Sequence, residues 1–340
     1  MKSENKILKI ELGERSYNVH IGHGILSRAN EYFNLERKIA IVTDSGVPCE
    51  YSKSIASLSK ESTIITIPNG EINKNINSFA FICKQLLSFG LQRGDAVVAV
   101  GGGVVGDIAG YAAASYMRGI DFYNVPTTLL SMVDSSIGGK CAIDFEGVKN
   151  ILGAFHQPRG VIIDTSVLKT LDPRQLSAGL AEVVKMALTS DEELFSLLEG
   201  GLWKNDIAEV IARAVAIKKQ IVEADEKEGS LRKILNFGHT FGHGIEASSD
   251  LYHGECVALG MLPMSSDSVR KRLIPLLLEM NLPTSHSVDT ESAFKFMRHD
   301  KKGNSTGTSA VFVDKIGSYR LKNVSFDALE KHIKDYLDKG

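Results

Sequence analysis

The chain has 340 residues, 43% hydrophobic and 24% charged, which excludes a largely disordered polymer and gives room for about two domains of ~100–200 residues. Thirty-nine Lys and Arg against forty-one Asp and Glu leave a net charge of −2, so no global field draws the chain to nucleic acid or anionic lipid. The first 17 residues hold no apolar signal-peptide core and no membrane-length apolar run follows, while Cys49, Cys83, Cys141 and Cys256 form no CxxC pair and read as reduced packing thiols of a cytosolic protein. In chain order, residues 6–12 and 16–21 alternate polar and apolar about Gly13, the pattern of a β-hairpin. β-rich runs at 38–43, 63–67, 96–100 and 121–125 are interleaved with helical stretches at 50–59, 74–89 and 104–117, which predicts a parallel sheet with right-handed crossovers.

From about residue 165 helical periodicity dominates. Helices are expected at 173–189, where Asp172 is a cap and Pro173 takes the first turn, and at 191–199, 205–224, 231–248, 254–272, 274–281, 289–299 and 325–337. A late strand pair is expected at 309–313 and 317–321. The expected organisation is an α/β Rossmann-like N-terminal domain over 1–165 and a mainly α-helical C-terminal domain over 166–340.

Ala96–Val100 runs into Gly101-Gly102-Gly103-Val104-Val105-Gly106-Asp107. A GxGxxG between a strand and a helix predicts a dinucleotide site, because glycines let backbone N–H groups approach a pyrophosphate at a helix N-terminus. A tight turn that merely packs is the competing reading. The acidic partner that usually follows some ~20 residues on has only Asp121 as its candidate, so the ribose contact could come instead from Asp44, or from Glu71 and Lys74.

The segment Leu231–Glu246 carries the second signal. On one helix at ~100° per residue, Arg232, Asn236, His239 and His243 would fall within about 60° of arc. Its Gly238, Gly242 and Gly244 each cost about 0.8–1 kcal/mol against Ala, so a close approach should compensate. His239 and His243 at i, i+4, with His253 nearby, could offer imidazoles to a metal, and Glu182 interrupting an apolar helix could complete a His₂Glu site. Structural histidines and a Glu182–Lys185 surface pair are the alternatives. Loops at 133–140 and 148–158 are dense in donors, and Arg118, Lys140, Lys149, Asn150, Lys185, Lys218, Arg232 and the Asp300-Lys301-Lys302 run could line an anion pocket.

With these residues in view, the chain resembles the 3-dehydroquinate synthase family over about 38–322. The blocks that carry the likeness are 69–74 (NGEINK), 101–107 (GGGVVGD), 113–119 (AASYMRG), 125–130 (VPTTLL), 133–140 (VDSSIGGK), 149–158 (KNILGAFHQP), 179–185 (GLAEVVK), 238–243 (GHTFGH) and 253–255 (HGE). The resemblance implies a phosphate lyase that converts DAHP (3-deoxy-D-arabino-heptulosonate 7-phosphate) to 3-dehydroquinate. It implies NAD used catalytically, by transient oxidation, phosphate elimination, re-reduction and aldol closure, and a divalent zinc or cobalt ion.

By the same resemblance Glu182, His239 and His253 would hold the metal. Asp44, Glu71, Lys74, Gly103, Val104, Val105, Gly106, Asp107, Thr127, Thr128, Lys140, Lys149 and the segment Val167, Leu168, Lys169 and Thr170 would meet NAD. Arg118, Lys140 and Asn150 would take the substrate phosphate, with Lys302 joining them, and Lys218 and Arg232 would clamp the carboxylate. Asp134, Lys185, Asn236, His239 and His243 would line the ring of the substrate. Lys140, Lys185, Glu228, Asn236 and His243 would do the proton chemistry, with Glu228 and His243 as acceptors. The position of Arg118 implies a homodimer that shares the site, in the cytoplasm, with no nucleic-acid or membrane partner. A metal-dependent alcohol or polyol dehydrogenase and another sugar phosphate cyclase are the alternatives. They differ in net NADH formation and in the need for a substrate carboxylate.

Overall fold

Buried aliphatic runs between turns build the first half of the chain. The computed structural model describes residues 5–229, 231–285, 289–299 and 307–338. It divides into two compact units, Met1–Leu171 and Asp172–Gly340. In the first unit β1 (Lys6–Ile10) and β2 (Tyr17–Gly22) pair antiparallel, as the alternation predicts. Then come β3 (Lys38–Asp44), α1 (Cys49–Leu58), β4 (Glu61–Ile67), α2 (Ile76–Phe89), β5 (Ala96–Gly101), α3 (Gly103–Ser115) and β6 (Asp121–Pro126). A hairpin of β7 (Lys140–Phe145) and β8 (Val148–Phe155) follows, and then β9 (Gly160–Asp164). Seven strands form one sheet in the order β1-β2-β9-β6-β5-β3-β4, parallel throughout except for the β1–β2 edge pair.

The order places a switch point between β3 and β5, because β3 leads outward to β4 and the chain then returns to the other side of β3. In open α/β sheets ligands bind at the carboxyl ends of the strands flanking such a point. β5 is buried along its whole length. Its Val97 and Ala99 pack with Val105, Ile108 and Ala112 of α3, which sets the glycine turn at that carboxyl edge. The donor-rich stretch 148–158 is not the loop that its composition suggests: most of it is strand β8, paired with β7 and held on the sheet through contacts of β7 with α3.

At the opposite, amino edge, Asp121 is held from both sides. Arg37 Nη1 reaches Oδ2 and Arg159 Nε reaches Oδ1, each at 2.7 Å. This removes Asp121 as a ribose partner for the glycine turn. Burial pushes the Asp121 carboxyl up, but the hydrogen bonds from Arg159 and Arg37 outweigh it and hold it below its usual 3.8. A depressed carboxyl stabilises the fold above the unfolded value and loses that contribution as the pH falls through the folded one. Asp121→Asn is therefore expected to melt below the parent at pH 7, with the gap closing as the pH drops past 3.8. Melting curves across that range check it, and a gap that stayed constant would show that packing, not charge, carries the effect.

The second unit is helical: α4 (Pro173–Ser190), α5 (Glu192–Glu199), α6 (Leu202–Asn205), α7 (Ile207–Ala224), α8 (His239–Glu246), α9 (His253–Met261), α10 (Asp267–Glu279), α11 (Thr290–His299) and α12 (Phe326–Leu337), with a hairpin of β10 (Gly307–Phe312) and β11 (Arg320–Ser325). Asp172 caps α4 by accepting from the N–H groups of Arg174 and Gln175, with Pro173 in the first turn. Several helix boundaries differ from the sequence expectation. The single helix expected over 231–248 is a 3-10 turn at Leu231–Asn236 followed by α8, broken at Gly238 (φ 78°), where a Cβ would lie 2.8 Å from Val257 O. The stretch 254–272 breaks after α9, around Pro263, and restarts at the Ser266 cap. α10 then runs through Pro275. No helix among the described residues is long and apolar enough to cross a membrane.

Candidate functional site

Each unit carries part of the predicted chemistry. In the first, Gly101 O accepts from Thr127 N–H (2.9 Å), which joins the ends of β5 and β6. A Cβ on Gly106 would meet Asn124 Nδ2 of β6 at 3.2 Å, so helix and strand approach closely here. The first turn of α3 thus opens at the switch point with its N–H groups at a glycine cradle, the arrangement that takes a pyrophosphate. Asp44 ends β3 on the other side of that point. Its Oδ1 accepts from Gly46 N–H at 2.8 Å, and the Asn69 amide approaches the same turn.

The remaining cofactor candidates cluster at the same edge. Lys74 is nearly buried, with its Nζ 2.6 Å from Asp107 Oδ2 and 3.9 Å from Glu71 Oε1. Burial pushes the Asp107 carboxyl up to about 6 in spite of the Lys74 ammonium, with Glu71 and Asp134 adding repulsion. Thr127 is buried, and Thr128 Oγ1 accepts from Ser131 N–H. Asp134 sits in a π-helical turn, Ser131–Ser135. Val105 and Val167 are buried, so only their backbones can face a ligand. Val167, Leu168, Lys169 and Thr170 form a 3-10 turn after β9, tied by Thr170 Oγ1 to Tyr51 OH at 2.9 Å. Lys140, Lys149 and Asn150 are exposed on the β7–β8 hairpin.

Arg118 lies elsewhere. It follows α3 on left-handed backbone (φ 69°), in a hollow lined by Gln92, Arg93, Gly94 and Met117. Since α3 starts at the glycine turn and spans 13 residues, about 20 Å at 1.5 Å per residue, Arg118 sits at the amino edge of its own sheet.

In the second unit the metal candidates converge. Glu182 and Lys185, each 1% exposed, lie in the buried middle of α4, and Lys185 Nζ donates to Glu182 Oε2. The expected surface pair therefore exists, but it is buried and occupies one oxygen. The other, Oε1, has no hydrogen-bond partner among the described residues and lies 3.7 Å from His239 Nε2 and 3.8 Å from His253 Nε2. Nδ1 of His239 faces the Phe237 carbonyl at 3.1 Å, and Nδ1 of His253 faces Glu246 Oε2 at 3.0 Å. A carbonyl or carboxylate only accepts, so Nδ1 carries a proton, and in its neutral form each ring aims the Nε2 lone pair at the orphaned oxygen. Three acceptors facing one another want a cation, and ligands ~2.1 Å from a tetrahedral ion stand about 3.4 Å apart.

Burial, Lys185 and the neighbouring imidazoles hold His239 well below its usual pKa, hence neutral as a ligand must be. Burial also lowers His253, but the Glu246 hydrogen bond and the Glu182 charge outweigh it and raise that group, so an ion would have to displace a proton from its Nε2. Ligand atoms of His239, His243 and His253 also lie within 4.8 Å of one another. Glu182 supplies the charge and the unsatisfied oxygen that His243 does not, and His243 is left beside the site.

Around it, Lys218 of α7 and Arg232 of the 231–236 turn are 3% and 2% exposed, and that turn packs on α4 and α7. Arg232 Nη1 donates to Glu226 O (2.9 Å) and its N–H to Asp225 Oδ2 (3.0 Å). Glu228 is held in left-handed backbone (φ 61°), and Asn236 ends the turn. The break at Gly238 means that Arg232 and Asn236 share no helix with His239. Lys302 lies outside the described residues. Sequence reasoning missed Glu246, although it repeats the His239 face at i+7. It also missed Arg174, whose guanidinium grips Glu255 through two 2.7 Å bonds with no local signal.

Family models for the N-terminal and C-terminal parts of 3-dehydroquinate synthase match residues 64–178 and 179–303. The 3-dehydroquinate synthase of Acetivibrio thermocellus is 42% identical over 87% of this chain and 89% of its own. Among solved structures, a 2-deoxy-scyllo-inosose synthase complexed with carbaglucose-6-phosphate, NAD+ and Co2+ superposes with a TM-score of 0.87 at 25% identity, covering 97% of this chain and 100% of the other. A 2-epi-5-epi-valiolone synthase from Streptomyces hygroscopicus subsp. jinggangensis, with NAD+ and Zn2+ bound, gives 0.86 at 28% identity, covering 97% and 99%.

Proposed function

The chain belongs to the 3-dehydroquinate synthase family, and from that premise we propose that it converts DAHP to 3-dehydroquinate and phosphate. The observation that carries the reading is the orphaned Glu182 Oε1 facing two imidazole lone pairs at 3.7 and 3.8 Å. When bound, NAD would supply a reversible hydride acceptor at the glycine turn, and a divalent zinc or cobalt ion at Glu182, His239 and His253 would polarise the hydroxyl being oxidised.

The protein's own groups do the rest. Lys218 and Arg232, cations held inside the helical unit, take the substrate carboxylate, for which the planar guanidinium offers a two-point contact. Lys140 and Asn150 take the phosphate. Arg118, at the wrong edge of its own sheet, serves the phosphate of a second copy, which makes the working form a homodimer. Asp134, Lys185 and Asn236 hold the ring hydroxyls. Glu228 and His243 accept protons, and the left-handed backbone at Glu228 fits a residue held for its role. The enzyme would act in the cytoplasm as a carbon–oxygen lyase, leaving NAD unchanged.

The test is a phosphate-release assay with DAHP, catalytic NAD and zinc or cobalt. Phosphate is expected in step with 3-dehydroquinate and without net NADH. Accumulating NADH with an alcohol would make it a dehydrogenase. Cyclisation of a hexose phosphate that lacks the carboxylate, with DAHP untouched, would make it another cyclase.

A further inference from the structure

Asn150 occupies an unusual position in the β7–β8 hairpin. Ile143 pairs with Leu152 and Phe145 with Val148, so three residues of β8 face Asp144 alone. Asn150 is the middle one, in left-handed backbone (φ 55°) that asparagine tolerates better than most residues. A bulge of this kind re-aims a side chain, and here it is tied back to one lysine. Asp144 N–H donates to Lys74 O (2.8 Å), Asn150 N–H to Asp144 Oδ1 (2.8 Å), and Lys74 Nζ to Asn150 Oδ1 (2.5 Å).

The chemistry of that last bond fixes which way the amide faces. An ammonium has three donors and no acceptor, so the oxygen of Asn150 must meet it and the two N–H donors of Nδ2 must face away. Lys74 is itself fixed by Asp107 of α3, at 2.6 Å, and its side chain is only 5% exposed. Two of its three donors are thereby engaged inside the protein. We infer that Lys74 is a positioning residue, which holds Asn150 from the glycine turn so that its amide N–H groups are presented to the phosphate oxygens of the substrate. The inference rests on the reading that Asn150 serves the phosphate. It gives Lys74 a duty toward Asn150 beside the cofactor contact that the family resemblance implies.

The test uses the NAD-loaded protein titrated with inorganic phosphate by calorimetry, alongside KM and kcat for DAHP. Asn150→Gly keeps the left-handed backbone and removes the amide. Lys74→Met frees the amide to turn. Each is expected to weaken phosphate and raise KM about tenfold to a hundredfold with kcat changed far less, and Asn150→Gly should keep NAD affinity within about threefold. The double variant should be no worse than Asn150→Gly alone, as one shared path requires. Asn150→Asp leaves the lysine its partner but turns the donors into an acceptor. It should bind phosphate more weakly still, and it decides the matter if Lys74→Met does not fold. Multiplying losses, a tenfold loss of NAD affinity in Lys74→Met with phosphate unaffected, an Asn150→Asp protein that binds phosphate normally, or a parent that takes up no phosphate would each overturn the inference. A parent that follows the pattern but releases no phosphate from DAHP would sink the functional reading and leave this one standing.

Discussion

His239→Ala is expected to strip the divalent ion from the protein and lower turnover at least about a hundredfold, while the fold survives. On the proposed reading the ring is a ligand with little structural duty: its Nδ1 bonds a neighbouring carbonyl and its Nε2 faces Glu182 Oε1 at 3.7 Å. Removing it leaves one imidazole and one carboxylate, too few for a closed grip on zinc or cobalt. Glu246→Gln should give a graded version, weakening the metal about ten- to a hundredfold, because the amide still bonds His253 but no longer fixes its charge and tautomer. Metal content after dialysis, chelator competition and a melting curve check both. Undiminished metal and turnover in His239→Ala would mean that the ion is held by another set.

Much of this site was visible in the residues because its parts are local. The glycine turn lies between a buried strand and a helix, both legible from apolar period, and the helix opened by Asp172 and Pro173 starts where the cap predicts. The three histidines lie within fifteen residues of one another. What could not be read depends on distant backbone. Gly238 breaks the helix because α9 leaves no room for a Cβ, a fact of residues 257 and 261. The β8 strand is largely exposed, with Lys149, Asn150 and Gly153 along it, so it lacks a half-buried strand's alternation and forms through its partner. The Lys74–Asn150 bond spans 76 positions, beyond the reach of any periodicity.

The second large effect is expected from one methyl group. A Cβ on Gly254 would lie 2.0 Å from the backbone oxygen of Ala178, and backbone cannot turn aside as a side chain can. Ala178 is one helical turn before Glu182 on the same face of α4, and Gly254 follows His253 at the start of α9. The close approach of these two helices therefore sets how far the carboxylate stands from that imidazole. A second tie spans the same pair, because Glu255 takes both bonds from Arg174 in the first turn of α4 while accepting from Tyr252 N–H at 2.7 Å. Gly254→Ala must wedge α9 outward against this brace. It is expected to cost about 1–3 kcal/mol in urea unfolding of the metal-free protein and to weaken zinc at least about tenfold in chelator competition. Gly200→Ala is the control: its φ is −75° and its nearest neighbour, Leu197 O, would lie 3.5 Å from the new methyl, so both readings should stay near the parent. If Gly254→Ala lost stability yet bound zinc as before, the helix spacing would not be what holds Glu182 to His253, and the ligand geometry would have to come from the α8 side, through Glu246.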